Sequence, residues 1–323
     1  MHALCRFEAA RGLLFIHLVR VGVILNAGAG SVGDDPTDER AAEIREAFGA
    51  AGVEATVHAC PPEDLAEATR RMAASGVDAV VAAGGDGTVS TVAGALINGD
   101  VPVAVLPLGT LNHFARDIGM PLDLAGAARA IAAGRVGRVD VGEVNGRTFI
   151  NNSSIGLYPE IVMTREAVQR RTGRRKWLAM LHAVLRVVRR FPLLRVRLST
   201  PDRKLEAKSP LVFIGNNEYL VEATALGKRE RLDGGRLSVY VMRCRGRLQL
   251  LWLMLRTIFQ RPERVPDCEN DNVPEAWVTL GRPHHPVQVA LDGEVVRMGS
   301  PLHYQIRAAA LPVMLGPAGE ASG

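Results

Sequence analysis

In the first 140 residues, short apolar runs alternate with stretches of helical spacing, and three of those runs end in polar, glycine-bearing turns. The runs 21–25, 53–59, 78–82 and 101–106 have the length of buried strands. Stretches 38–51, 63–75 and 124–133 read as helices, each stopped by a glycine (Gly52, Gly76 and Gly134), and 89–98 reads as a fourth. Alternating strands and helices imply a parallel sheet with helices on its faces. Ligands of such sheets sit at the carboxyl ends of the strands. The turns after Leu25, Val81 and Leu106 are therefore expected to gather at one edge.

After about residue 138 the rhythm changes. Short strands are expected at 139–144, 147–151, 194–198, 211–214, 237–242, 276–280, 287–291 and 302–307. The alternation is plainest in Arg195-Val196-Arg197-Leu198. Many short strands with turn signals point to an all-β second domain. Two helical stretches, 160–190 and 247–261, interrupt it, and residues 1–19 read as a loose N-terminal extension. The fold class expected is α/β: an N-terminal parallel α/β nucleotide-binding domain plus a C-terminal all-β, sandwich-like domain with inserted helices.

Composition narrows the partners. Of 323 residues, 47% are apolar, so most of the chain can bury a core. Cys5, Cys60, Cys244 and Cys268 form no CxxC pair, which fits a reduced, cytoplasmic setting without structural zinc. No apolar run reaches the length of a spanning helix. The apolar segment 12–19 is short and lacks a small-residue cleavage site, unlike a signal peptide. A net charge of +5 admits anionic partners, but aromatics are only 5%, so nucleic acid is not expected.

The turn Gly84-Gly85-Asp86-Gly87-Thr88 carries the most chemistry. Its glycines let backbone approach phosphate oxygens, and the helix start behind it attracts an anion. Asp86 repels a phosphate directly. It makes sense beside a Mg2+ or as a proton handler, so the turn points to nucleotide chemistry.

That turn, with Pro107-Leu108-Gly109-Thr110-Leu111-Asn112-His113-Phe114-Ala115-Arg116, Val139-Asp140-Val141-Gly142 and Leu291-Asp292-Gly293-Glu294, resembles the diacylglycerol kinase catalytic-domain family. That family includes bacterial soluble lipid kinases and sphingosine kinases. The likeness runs over about 21–315. It implies an α/β nucleotide domain, a β-sandwich and an active site in the cleft between them. It also implies ATP and Mg2+ as cofactors, and a last strand near 311–315 that returns to the first domain. The expected domains are 20–140 with about 308–316 returning, and 141–307 for the lipid substrate.

By that resemblance, Asn26, Gly28, Gly30 and Ser31 form a first phosphate-side loop, with Ala27 where a proline usually stands. Gly84, Gly85, Asp86, Gly87 and Thr88 form the nucleotide loop, and Gly109, Thr110 and Asn112 a second contact loop. Asp86 and Asp140 organise the catalytic Mg2+; His113 stands where many members carry an acid, and a neutral imidazole is a poor ligand for that hard ion. Either the metal network is rearranged around His113 or His113 contacts the substrate phosphate, with a plain buried histidine as the alternative. Glu294 is the first choice for general base and Asp86 the second, with Asp292 orienting Glu294 or holding Mg2+. The alternative for 292–294 is an Asp-Gly hairpin with solvated charges. Some members hold a structural Mg2+ at an Asp that is Gly234 here, leaving Asp233 to substitute, and Cys60 replaces a threonine near the adenosine.

Arginines 165, 170, 171, 174 and 175 with Lys176 precede Trp177, and Arg186, Arg189 and Arg190 follow on the same expected helix. A basic helix with an apolar face suits an anionic membrane surface, which a kinase of membrane lipids must reach. The expectation is a cytoplasmic protein, peripherally associated with the inner face of the membrane, with a homodimer left open. Two alternatives stand: a NAD kinase-like phosphotransferase, or a catalytically weak nucleotide- or lipid-sensing protein.

Overall fold

The computed structural model describes residues 6–8, 13–15, 17, 20–27, 36–156, 194–219, 229, 231–243, 268–281 and 286–317. The chain divides into two compact units, Met1–Val141 with Arg307–Gly323, and Gly142–Ile306.

The first unit begins with β1 (Arg6–Glu8) and β2 (Leu13–Phe15), which pair antiparallel. Then come β3 (Arg20–Asn26), α1 (Pro36–Ala50), β4 (Glu54–Cys60), a 3-10 turn (Pro62–Asp64) and α2 (Leu65–Ala74). They are followed by β5 (Ala79–Gly84), α3 (Asp86–Leu96), β6 (Val103–Pro107), α4 (His113–Asp117), α5 (Leu124–Ala132) and β7 (Arg135–Val144). Strands β4, β3, β5 and β6 lie side by side in that order, all parallel. All six residues of β5 and all five of β6 are buried, as expected of strands covered on both faces. The chain steps from β3 out to β4 and returns on the other side of β3 as β5. The strand order therefore reverses between β3 and β5, and the crevice at that point is where open α/β sheets take ligands.

The second unit carries β8 (Arg147–Phe149), β9 (Asn152–Gly156), β10 (Leu194–Ser199), β11 (Lys204–Ser209), β12 (Leu211–Asn216) and β13 (Leu237–Met242). It continues with β14 (Cys268–Val273), β15 (Glu275–Leu280), β16 (Pro286–Leu291), β17 (Glu294–Gly299) and β18 (Leu302–Met314). One sheet runs β14-β13-β12-β9-β16-β17, antiparallel throughout. A second antiparallel set runs β11-β10-β15-β18. Their alternating apolar residues share one core, with Ile155, Val212, Val239 and Val289 from the first sheet and Val196, Leu198, Val278 and Tyr304 from the second. The chain crosses between the units inside β7 and again inside β18, whose Val313 pairs parallel with Val103 of β6.

Several expectations needed correction. The N-terminal segment is not wholly loose: β2 pairs with β7 through Leu14 and Val136. Helix α3 starts at Asp86, so Asp86, Gly87 and Thr88 lie in its first turn instead of before it. Strands β9, β11, β14 and β17 were not expected as separate strands, and 302–307 and 311–315 are one long strand. Polar residues such as those of Cys268–Val273 (CENDNV) hide a strand from any hydrophobic pattern. The stretches 160–190 and 247–261 lie outside the described residues, as do Gly28, Gly30 and Ser31.

Candidate functional site

In the first unit, three strand-end turns meet at the switch point. Strand β3 ends in Asn26, whose Nδ2 donates to Thr88 Oγ1 at 2.9 Å. Thr88 is buried in the first turn of α3, so this bond ties the β3 end to the β5 turn across the crevice. The β5 and β6 turns touch backbone to backbone. Leu108 N–H donates to Gly84 O at 3.1 Å. A Cβ on Gly109 would lie 2.5 Å from Gly85 Cα, and one on Gly84 would lie 2.4 Å from Thr88 Oγ1. Neither place leaves room for a Cβ: at Gly109 the obstacle is the Gly85 backbone, and at Gly84 it is the Thr88 side chain that Asn26 holds.

Asn112 shapes the β6 turn. It adopts a left-handed backbone (φ 51°), its Nδ2 donates to Gly109 O at 2.8 Å, and its Oδ1 accepts Gly109 N–H at 3.1 Å. The side chain is buried, and these bonds make it a brace for the loop. Thr110 and His113 are exposed beside it, so the plain buried histidine is excluded. Gly85 precedes α3 without a side chain to cap it, which leaves the first helical N–H groups to an anion.

Asp86 is half-buried, and its Oδ1 accepts Phe114 N–H through a long 3.4 Å contact. Asp140 is buried in β7, and its Oδ1 accepts Ala309 N–H at 2.8 Å, holding a residue of positive φ (50°) within β18. Among the described residues, no three His, Cys, Asp or Glu side chains form a metal-ready group. Mg2+ is nonetheless commonly held by one or two carboxylates with substrate phosphates and water. Asp86 beside the glycine turn fits that pattern. Cys60 closes β4, where burial, with the neighbouring Asp64 charge, pushes its thiol pKa up.

In the second unit, Asp292 and Gly293 are the two central residues of the β16–β17 hairpin, both at positive φ (47° and 93°). Leu291 pairs with Glu294, so Glu294 opens β17 instead of sitting on the turn. The Asp292 carboxylate is well occupied. Its Oδ2 accepts Ile150 N–H at 2.8 Å, and its Oδ1 accepts Asn151 and Asn152 N–H at 2.8 and 3.0 Å. That makes Asp292 an anchor for the hairpin. Glu294 pairs with Leu291 through its backbone, but its side chain is exposed and the carboxylate hydrogen-bonds to no described residue, which leaves it available for chemistry.

Asp233 is exposed and pairs with Arg231 at 3.0 Å, while Gly234 N–H donates to Asn217 Oδ1 at 2.9 Å. No sequence motif marks the buried cluster of Asn151, Asn216, Tyr219 and Arg229. A run of asparagines, Asn216-Asn217, after an apolar strand was its one available signal.

Residues 20–144 match the diacylglycerol kinase catalytic domain as a family. The chain is 30% identical over 251 residues to "Probable lipid kinase YegS" of Escherichia fergusonii, covering 75% of this chain and 79% of that one. It is 35% identical over 175 residues to "Probable lipid kinase YegS-like" of Pseudomonas aeruginosa, covering 52% of this chain and about half, 56%, of that relative's length. Among solved structures, a diacylglycerol kinase from Bacillus anthracis superposes with a TM-score of 0.67 at 22% identity, over 93% of this chain and 98% of that one, a likeness of fold. With its glycine turns, its two units and these relatives, the chain belongs to the diacylglycerol kinase catalytic-domain family.

Proposed function

We propose that this chain is an ATP- and Mg2+-dependent lipid kinase that transfers the γ-phosphate to a hydroxyl of diacylglycerol, sphingosine or a related membrane lipid. The observation that carries this reading is the junction of three strand-end turns at the sheet's switch point, sealed by Asn26–Thr88 and by the Gly85–Gly109 approach. Such a cradle offers backbone N–H groups to phosphates and a carboxylate, Asp86, to the cation that accompanies them.

Bound Mg2+ would neutralise charge building on the phosphates during transfer. Asp86 and Asp140 are the residues assigned to it, with Asp86 the better placed because Asp140 already holds Ala309. Phosphoryl transfer is mostly positioning and electrostatic stabilisation, and the acceptor alcohol needs a base. Glu294, exposed at the start of β17, takes that role in this reading, with Asp86 as second choice. Reaching a lipid also calls for peripheral attachment to an anionic membrane, assigned to the basic stretch 160–190, which lies outside the described residues. Among the described residues, no helix is long and apolar enough to cross a membrane.

The test is incubation of purified protein with γ-labelled ATP and total bacterial lipid extract, with NAD in a parallel reaction. Label in a chloroform-soluble lipid is the expected result. Label in NADP alone would support a dinucleotide kinase, and tight ATP binding without transfer to either would support a sensor.

A further inference from the structure

Arg229 is 4% exposed. A buried guanidinium is costly unless its donors are met, and these are met by one short segment and its neighbours. Its Nη1 donates to Ile150 O at 2.6 Å and its Nη2 to Asn151 Oδ1 at 3.0 Å. The guanidinium also lies 5.8 Å from the centre of the Tyr219 ring. Tyr219 in turn donates its hydroxyl to Asn151 O at 2.9 Å, and Asn216 donates its amide to Ile150 O at 2.9 Å.

The far side of the same segment faces Asp292. The peptide joining Ile150 to Asn151 offers its C=O to Arg229 and its N–H to Asp292. One peptide unit is thus held between a buried cation and a carboxylate that also accepts the N–H groups on either side of it. Each charge polarises the peptide in the sense that strengthens the other's bond. Asp292 N–H donates to Asn152 O at 2.9 Å, so the hairpin turn is fastened to 150–152 through both backbone and side chain.

Glu294 stands immediately beyond that turn, pairs with Leu291 through its backbone, and its carboxylate hydrogen-bonds to no described residue. Its aim depends on the hairpin backbone, and the hairpin depends on 150–152. We infer that Arg229 is a positioning residue for the reaction: across the Ile150–Asn151 peptide it fixes the Asp292 turn and so the direction of the Glu294 carboxylate. This inference rests on the kinase reading and on Glu294 as its base. Small misplacements of a reacting group cost about a hundredfold, so a slack turn should be visible in turnover.

The test compares Arg229→Met, Asn151→Ala, Glu294→Gln and the Arg229→Met/Glu294→Gln double variant with the parent protein. The substrates are labelled ATP and vesicles of total bacterial lipid extract. Arg229→Met is expected to lower kcat by about tenfold or more with KM for ATP changed by less than about twofold. Asn151→Ala, which removes one prong of the clamp and leaves the cation, should lower kcat by about threefold. In the Glu294→Gln background, Arg229→Met should cost nothing further, because the residue it serves is already disabled.

A purely structural Arg229 would lower the rate by the same factor in both backgrounds, and that result overturns the inference. So would parental kcat in Arg229→Met. Should Arg229→Met fail to fold, Asn151→Ala decides, and parental kcat there overturns it equally. A parent protein that labels no lipid refutes the kinase reading itself, which is a separate result.

Discussion

The glycine turns of the first unit and the β16–β17 hairpin of the second are held by different means. In the first, glycine lets the turns close up, since a Cβ on Gly109 would lie 2.5 Å from Gly85 Cα, and the neutral side chains of Asn26, Thr88 and Asn112 brace them. Their precision comes from backbone packed on backbone at the ends of fully buried strands. The hairpin is fixed by charge: Asp292 gathers three N–H groups, and Arg229 holds the other side of the same peptide. A site that binds a ligand with its own backbone benefits from smallness. A site that must present one exposed carboxylate benefits from a rigid, charged footing beneath it.

Substitutions separate these two kinds of support. Glu294→Gln apart, the largest effect is expected for Asp86→Asn, which removes the carboxylate from the glycine turn. Transfer should fall on the order of a hundredfold or more, and adding Mg2+ should not restore it. Next is Asp292→Asn, which turns an amide NH2 toward backbone N–H donors. It should lower stability by about 2–4 kcal/mol in urea unfolding while ATP affinity stays near that of the parent. Loss of ATP binding in that variant would break the division of labour between the two regions.

Gly109→Ala acts on the other side. Forcing the turns apart should raise the dissociation constant for ATP by about tenfold, read by calorimetry, for a strain of about 1–3 kcal/mol. The smallest effect belongs to the β-unit core. Tyr304→Phe removes a 2.9 Å bond to buried Ser153 and should cost about 1–2 kcal/mol. Burial holds the Tyr304 phenol pKa well above its usual value. Its stabilising effect is complete below about pH 10 and is lost as pH rises, because the unfolded chain ionises first. Tyr304→Phe should therefore flatten the alkaline fall in stability.

Much of the first unit was legible in its sequence because its signals are local. Apolar runs ending in glycine turns give the strands, and the meeting of three turns follows from the topology of a parallel sheet. The second unit was harder to read. Strand β14 is polar, and β17 follows β16 after two residues, so the pattern carried only one of the pair. The hairpin itself was visible in Asp292-Gly293, but the partners of Asp292 lie 140–142 residues away in sequence. Arg229 escaped notice for the same reason. Among the many arginines of a basic chain, nothing local distinguishes one that is buried.

The most direct measurement is phosphoryl transfer by Glu294→Gln set beside its ATP affinity, with labelled ATP and lipid-extract vesicles. Turnover should fall by about a hundredfold to ten-thousandfold, the range for a lost general base, with the dissociation constant for ATP unchanged. Lipid phosphorylation at the parental rate in that variant would remove Glu294 from the chemistry and contradict the division of the site proposed for this chain.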